Sequence, residues 1–190
     1  MGKELLFEIG TEEIPSTYMP GLLDALEEGA VRAFGEARLD FEGLSVFGTP
    51  RRLVLHVADL AERQNPLSEE ILGPPASAAF DKDGNPTKAA QGFAASLGLT
   101  VDQLGRQDTG KGERLIAKVT EQGKPTVELV PDFFAQAIQK LPIPKRMRWG
   151  KRKVQFVRPA HWLVALFGDE VIPFELLDLQ SGRISYGHRF

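Results

Sequence analysis

Within its first sixty residues the chain changes hydrophobic period twice, and this pattern restricts the folds open to it. Lys3 to Gly10 (KELLFEIG) alternates and is rich in Leu, Phe and Ile, which predicts a strand ending at Gly10. From Tyr18 to Phe34 the apolar residues Met19, Leu22, Leu23, Leu26, Ala30, Ala33 and Phe34 recur every three or four positions, the stripe of an amphipathic helix, with Ser16 or Thr17 as its expected cap. Alternation then returns in Phe41 to Phe47 and Arg52 to Ala58, two strands joined at Gly48-Thr49-Pro50. Leu53, Leu55 and Val57 share one face of the latter, while Val54 and His56 take the other, where His56 is expected to meet solvent. Strand, helix, strand, strand in this order predicts an α+β fold, a mostly antiparallel sheet with packed helices.

Three strands are thin cover for such a helix, so the sheet needs strands from elsewhere. The apolar runs Leu163 to Phe167 and Val171 to Leu177, turning at Gly168-Asp169, and the closing alternation Ile184, Tyr186, His188, Phe190 would supply them. Residues 1–65 and 148–190 are therefore expected to form one discontinuous α+β domain. Residues 66–147 would be an inserted, smaller, helix-rich module, helix-hairpin-helix in outline. Its entry is the polar connection Glu62 to Pro75, read as a boundary because it ends in Gly73-Pro74-Pro75. Short helices are predicted over Thr87 to Leu97 and from Thr100, which caps the second, to Leu104. The longest stripe, Val130, Phe133, Phe134, Ala137, Ile138 and Leu141, predicts a helix over Val127 to Leu141 that Pro142 stops.

Several kinds of chemistry find no footing. The 190 residues contain no cysteine, which removes disulfides, thiolate metal sites and a thiol nucleophile together, and His56, His161 and His188 are too scattered for a zinc helix. No metal site is expected. Asp81 to Pro86 resembles a calcium loop, but Gly84 is misplaced and Gly92 stands where the bidentate glutamate belongs. Gly105 to Gly112 nearly spells a phosphate-binding loop, yet Gly112 replaces the magnesium-binding hydroxyl and the next residues read as a strand, so Gly110-Lys111-Gly112 is a predicted hairpin turn. Glu12, Glu13 and His161 are the only groups for a hydrolytic site, and acidic residues ahead of a helix are favoured by its dipole anyway. No catalytic residue is assigned. No apolar run approaches the roughly 20 residues a membrane helix needs, and the start lacks a signal-peptide pattern, so a cytoplasmic protein is expected.

Charge is unevenly distributed. Between Asp132 and Asp169 there is no carboxylate, yet this interval holds Lys140, Lys145, Arg146, Arg148, Lys151, Arg152, Lys153 and Arg158. The chain as a whole carries −3, so a basic strip is set against an acidic remainder, a layout suited to a polyanion on one face. Trp149 and His161 add groups able to stack on or hydrogen-bond to unpaired bases. Arg51 and Arg52, opening the strand after Pro50, would extend the basic face. The candidate RNA-binding set is thus Arg51, Arg52, Lys145, Arg146, Arg148, Trp149, Lys151, Arg152, Lys153, Arg158 and His161. Two other readings stay open: the strip as a solvated edge, and Trp149 as a core residue.

FEIGTEEIP at 7–15, TPRRL at 49–53, AFDKDGNPTKAAQGFA at 79–94, LPIPKRMRWG at 141–150, FVRPAHW at 156–162 and the final GHRF, in this order and spacing, resemble the N-terminal part of the β subunit of bacterial heterotetrameric glycyl-tRNA synthetase. The likeness runs along essentially the whole chain. It implies a fragment of a longer protein, without the later anticodon-binding domain, that helps hold tRNA(Gly) while the α subunit, with ATP and magnesium, joins glycine to it. The partners implied are tRNA(Gly) and the α subunit, with neither DNA nor a membrane among them. A subunit-assembly module without RNA contact is the alternative.

Overall fold

The computed structural model describes residues 2–81, 84–110 and 112–187. The chain divides into two compact units, residues 1–65 with 124–190, and residues 66–123. The first begins with β1 (Lys3–Thr11), α1 (Met19–Glu36), β2 (Phe41–Thr49) and β3 (Arg52–Leu60). The second holds β4 (Leu67–Pro75), α2 (Ala76–Ala79), α3 (Lys88–Ser96), a 3-10 turn at Val101–Gln103, β5 (Gly105–Asp108) and β6 (Glu113–Glu121). The chain then returns to the first with α4 (Thr126–Lys140), β7 (Ala160–Phe167), β8 (Glu170–Val171), β9 (Glu175–Leu176) and β10 (Leu179–Gly182).

In the first unit the strands run in the order β2-β3-β1-β7-β10-β9, with β8 on β7. All pairs are antiparallel except β7 with β10. Without the insertion, β1-α1-β2-β3-α4-β7 is a split βαβ arrangement, and it leaves both helices on one face of the sheet. The alternation explains that face: Leu5, Phe7 and Ile9 of β1, Leu53, Leu55 and Val57 of β3, and Leu163, Ala165 and Phe167 of β7 are all buried in one core. Leu22, Leu26, Ala30 and Phe34 of α1 and Val130, Phe134, Ala137 and Ile138 of α4 meet them, and the Phe7 and Phe134 rings stack at 3.7 Å. Burying a side chain of this size contributes roughly 1.5–3 kcal/mol.

The chain leaves and re-enters this unit through adjacent strands of backbone. Arg63 bridges Pro125, the Gln64 amide donates to the Lys124 carbonyl, the Thr126 amide donates to the Glu62 carbonyl, and the buried Thr126 hydroxyl donates to the Ala61 carbonyl. The expected inserted module of 66–147 therefore ends at Gly123, because the apolar stripe of α4 belongs to the larger core. Nor is the module helix-hairpin-helix: its centre is a three-stranded sheet in the order β4-β6-β5, beside which α2 buries Ala79 and α3 buries Ala90 and Ala94.

Local differences have local causes. Residues 67–75, read as connection, pair with β6 as an edge strand, and the register shifts between Leu72 and Pro75, the kind of irregular edge where prolines are tolerated. Gly73 faces inward there, since a Cβ would lie 2.5 Å from the Phe93 ring. No side chain caps α1: Pro15 to Tyr18 close a backbone turn, Tyr18 is the cap residue, and Pro20 sits in the first turn. Thr100 does cap its turn, in a reciprocal pair with Gln103. Pro173 splits the expected strand 171–177 into β8 and β9, and Leu177 and Asp178 turn the chain into β10 with φ of 57° each. Ile184 and Tyr186 lie beyond β10, while His188 and Phe190 fall outside the described residues. His56 does not simply face water, for its Nε2 lies 2.6 Å from Glu4 Oε1.

Candidate nucleic-acid interface

The residues singled out from the sequence fall into two groups, both in the first unit. Lys145 to Lys153 occupy the turns after α4, where Met147 bridges Phe156. Here the arginines and lysines differ. Arg146 Nη2 donates to the carbonyls of Gln139 and Leu141 at 2.7 and 3.1 Å, satisfying the acceptors that the end of α4 leaves open. Arg148 points its guanidinium at Gln155, whose amide oxygen, turned to suit it, accepts at 3.1 and 3.2 Å. Arg152 lies 5.9 Å from the centre of the Trp149 ring and reaches toward the Leu177 carbonyl at 3.5 Å. Trp149 is half-buried against the main core. Lys145, Lys151 and Lys153 are exposed, and among the described residues none has a carboxylate within 4.0 Å.

The second group surrounds an open cleft of about 770 Å³ lined by Glu13, Arg51, Arg52, His161, Trp162 and Tyr186, among others. The β2–β3 turn delivers Arg51 and Arg52, and β7 delivers His161 and Trp162. Arg51 Nη2 donates to Glu12 Oε2 at 2.6 Å, and His161 Nε2 lies 2.7 Å from Glu12 Oε1. The hydrogen bond from His161, helped by the charge of Arg51, holds the Glu12 carboxyl below the ordinary carboxylate range. A carboxylate in that state is a weak proton acceptor, which counts against Glu12 as a general base. Glu12 is thus held by side chains of the β2–β3 turn and β7, and no acidic residue stands in the first turn of α1 itself.

Beside this partly exposed group lies a buried carboxylate. Glu8, 6% exposed, accepts from Trp162 Nε1 and from the Ser185 hydroxyl, both at 2.6 Å, and its other oxygen is 3.6 Å from Arg52 Nη1. Arg52 Nη2 also donates to the Tyr186 carbonyl at 2.5 Å. Arg158 is directed inward, its Nε to the Glu13 carbonyl and its Nη1 to that of Val157, both at 2.9 Å. Of the cations named from the sequence, those around the cleft are thus held by protein acceptors. No group of three or more His, Cys, Asp or Glu able to hold a metal occurs among the described residues. No helix among them is long and apolar enough to cross a membrane.

The model of the family described as "Glycyl-tRNA synthetase beta subunit" matches residues 5–190. This chain belongs to that family. It is 47% identical over 188 residues to the glycine–tRNA ligase β subunit of Marinobacter nauticus, covering 99% of this chain and 27% of that protein. To the β subunits of Moorella thermoacetica and Syntrophus aciditrophicus it is 46% and 47% identical over 190 residues, covering all of this chain and 27% and 28% of those proteins. The chain thus spans little more than a quarter of the length of these relatives.

Several stretches that carry the family resemblance meet at the cleft. FEIGTEEIP supplies Glu8, Glu12 and Glu13, TPRRL supplies Thr49 to Arg52, FVRPAHW supplies Arg158, His161 and Trp162, and Gly187 opens GHRF. Trp162 and Tyr186 are the lining residues that reading the sequence missed. A signal existed for the first. Gly10 sits opposite Trp162 in the β1–β7 register, and a Cβ on Gly10 would lie 1.9 Å from the indole, so the ring needs that glycine to lie flat on the sheet.

Proposed function

We propose that this chain is the tRNA-holding N-terminal part of a glycyl-tRNA synthetase β subunit, serving attachment of glycine to tRNA(Gly) by an α subunit that binds ATP and magnesium. The carrying observation is the carboxylate-free strip with Lys145, Lys151 and Lys153 exposed and unpaired among the described residues. Unpaired cations can release counterions from a phosphate backbone, and that release supplies most of the affinity of a protein for RNA. The acidic remainder of the chain discourages approach from other directions. A cytoplasmic heterotetramer is the setting this reading implies.

The test is tRNA binding as a function of salt. Each phosphate contacted adds about 0.7 to 0.9 to the slope of log affinity against log salt, so Lys151→Ala and Lys153→Ala should each flatten it by about that amount. Unchanged affinity and slope in both would dispose of the strip as an RNA surface. A second reading, docking to the α subunit, is favoured by the outer edge of β2, which among the described residues pairs only with β3 and leaves Phe47 55% exposed. Complex formation with the α subunit, with and without tRNA, separates the two.

A further inference from the structure

The cleft around Trp162 has chemistry unlike that of the strip. Its cations cannot serve a phosphate well: Arg51 and His161 are taken up by Glu12, Arg52 faces Glu8, and Glu13 adds another carboxylate to the wall. A polyanion entering here would meet the Glu13 side chain in the wall, and cations already paired with Glu8 and Glu12. What the cleft offers instead is flat apolar surface. The Trp162 indole lies on the Gly10 backbone, is pinned by its Nε1 hydrogen bond to Glu8, and has the Arg52 guanidinium 5.7 Å from its centre. The Tyr186 ring stands 5.3 Å from it, inclined by 59° and 56% exposed. Arg52 fixes this pair by donating to the Tyr186 carbonyl, and Ser185 binds the same glutamate as Trp162. The indole and the backbone that carries Tyr186 are therefore held in place before any ligand arrives, which lowers the ordering cost of binding.

We infer that this cleft accepts an unpaired nucleobase of an RNA strand, stacked against Trp162 and Tyr186, while the lysine strip holds phosphates. The inference rests on the RNA-holding reading and deepens it. The volume, about 770 Å³, lies within the range of small-ligand sites and admits a nucleoside. A base is planar and uncharged, has π-faces for the rings, and carries donors and acceptors that suit the Glu13 carboxylate and the cleft's polar rim. A carboxylate in the wall is tolerable beside a base edge and repels a phosphate. The same base chemistry occurs in a free nucleotide, so the strand and the mononucleotide must be compared.

The test uses the full chain with a fluorescent single-stranded RNA octamer, a blunt RNA duplex of the same length, and AMP as competitor. Tyr186→Ala removes an exposed ring without touching the backbone carbonyl that Arg52 binds, and Tyr186→Phe keeps the ring. For the octamer, Tyr186→Ala should weaken binding roughly 5- to 100-fold at unchanged salt slope, with Tyr186→Phe near wild type. Duplex affinity should be the same in all three proteins. Equal octamer affinity in Tyr186→Ala and wild type, with Lys151→Ala still weakening both RNAs, overturns the cleft and leaves the strip standing. Loss of both RNAs' affinity in equal measure on Tyr186→Ala would also overturn it, since a base site has no purchase on a blunt duplex. Displacement of the octamer by AMP at concentrations near the octamer's own Kd would reassign the cleft to a free nucleotide. Failure of wild type to bind either RNA sinks both readings.

Discussion

The turns after α4 and the cleft beside β7 look alike in the sequence, for each draws on an arginine near a tryptophan in a stretch without carboxylates. In three dimensions they diverge. Around the cleft, Glu8 and Glu12 come from β1 and the residues just after it, about forty positions before Arg51 and Arg52 and about 150 before His161 and Trp162, and neutralise the cations from within. After α4, Lys145, Lys151 and Lys153 are exposed, and among the described residues none has a carboxylate within 4.0 Å. Cationic side chains near one another are thus of two kinds: arginines that serve as internal hydrogen-bond hubs, and lysines that remain solvated point charges.

If that contrast holds, substitutions on the cleft side should cost stability first, and the largest loss is expected from Trp162→Ala. It removes a half-buried ring and strands the Glu8 carboxylate without its indole donor, so chemical denaturation should show a loss of roughly 3 kcal/mol or more. Arg52→Ala comes next. Glu8 keeps two neutral donors but loses its cation, for about 1–3 kcal/mol in the same measurement. A loss below about 0.5 kcal/mol for Arg52→Ala would mean that the cleft cations are as free as the lysines, and the contrast would collapse.

Acid titration sharpens the same point with a smaller effect. The folded-state pKa of Glu12 is depressed, so its contribution is fully present above the ordinary glutamate range, about 4.3, and is lost as pH falls through its lowered value. Unfolding free energy followed from neutral pH downward should decline less steeply below about pH 4.5 in Glu12→Gln than in wild type. Identical acid limbs would show that Glu12 gains nothing from His161 and Arg51. The smallest stability effect belongs to the strip: Lys151→Ala and Lys153→Ala should stay within about 0.5 kcal/mol of wild type. On the proposed function, their effect should fall instead on RNA affinity and its salt dependence.

What could be read from the sequence, and what could not, follows the range of the interactions involved. The stripes of α1 and α4 and the alternation of β1, β3 and β7 are visible because each element buries one face, and the periodicity records it. β4 escaped because its inward positions are Leu67, Ile71 and Gly73, too few apolar side chains to show alternation, and β5 has none at all in Gly105 to Asp108. These two strands exist because β6 pairs with both. The module boundary was misplaced for a related reason: the stripe of α4 shows that it packs, without showing on what. At the candidate site, charge was legible and compensation was not. Nothing local in TEEIP announces that Glu12 will meet both Arg51 and His161, or that Tyr186 will stand over Trp162.

The pairing of Gly10 with Trp162 sets the order in which the molecule can be assembled. During synthesis β1 emerges before β3, acquires it on one side, and must hold its other edge open until β7 appears about 150 residues later. The intervening module has no such delay, since β4, β5 and β6 find all their partners between residues 66 and 123. A nascent chain therefore carries a finished small unit beside an unfinished large one whose central strand is still an exposed edge. That edge is the segment most open to pairing with another chain, and the time it stays bare is set by how slowly the ribosome reaches β7.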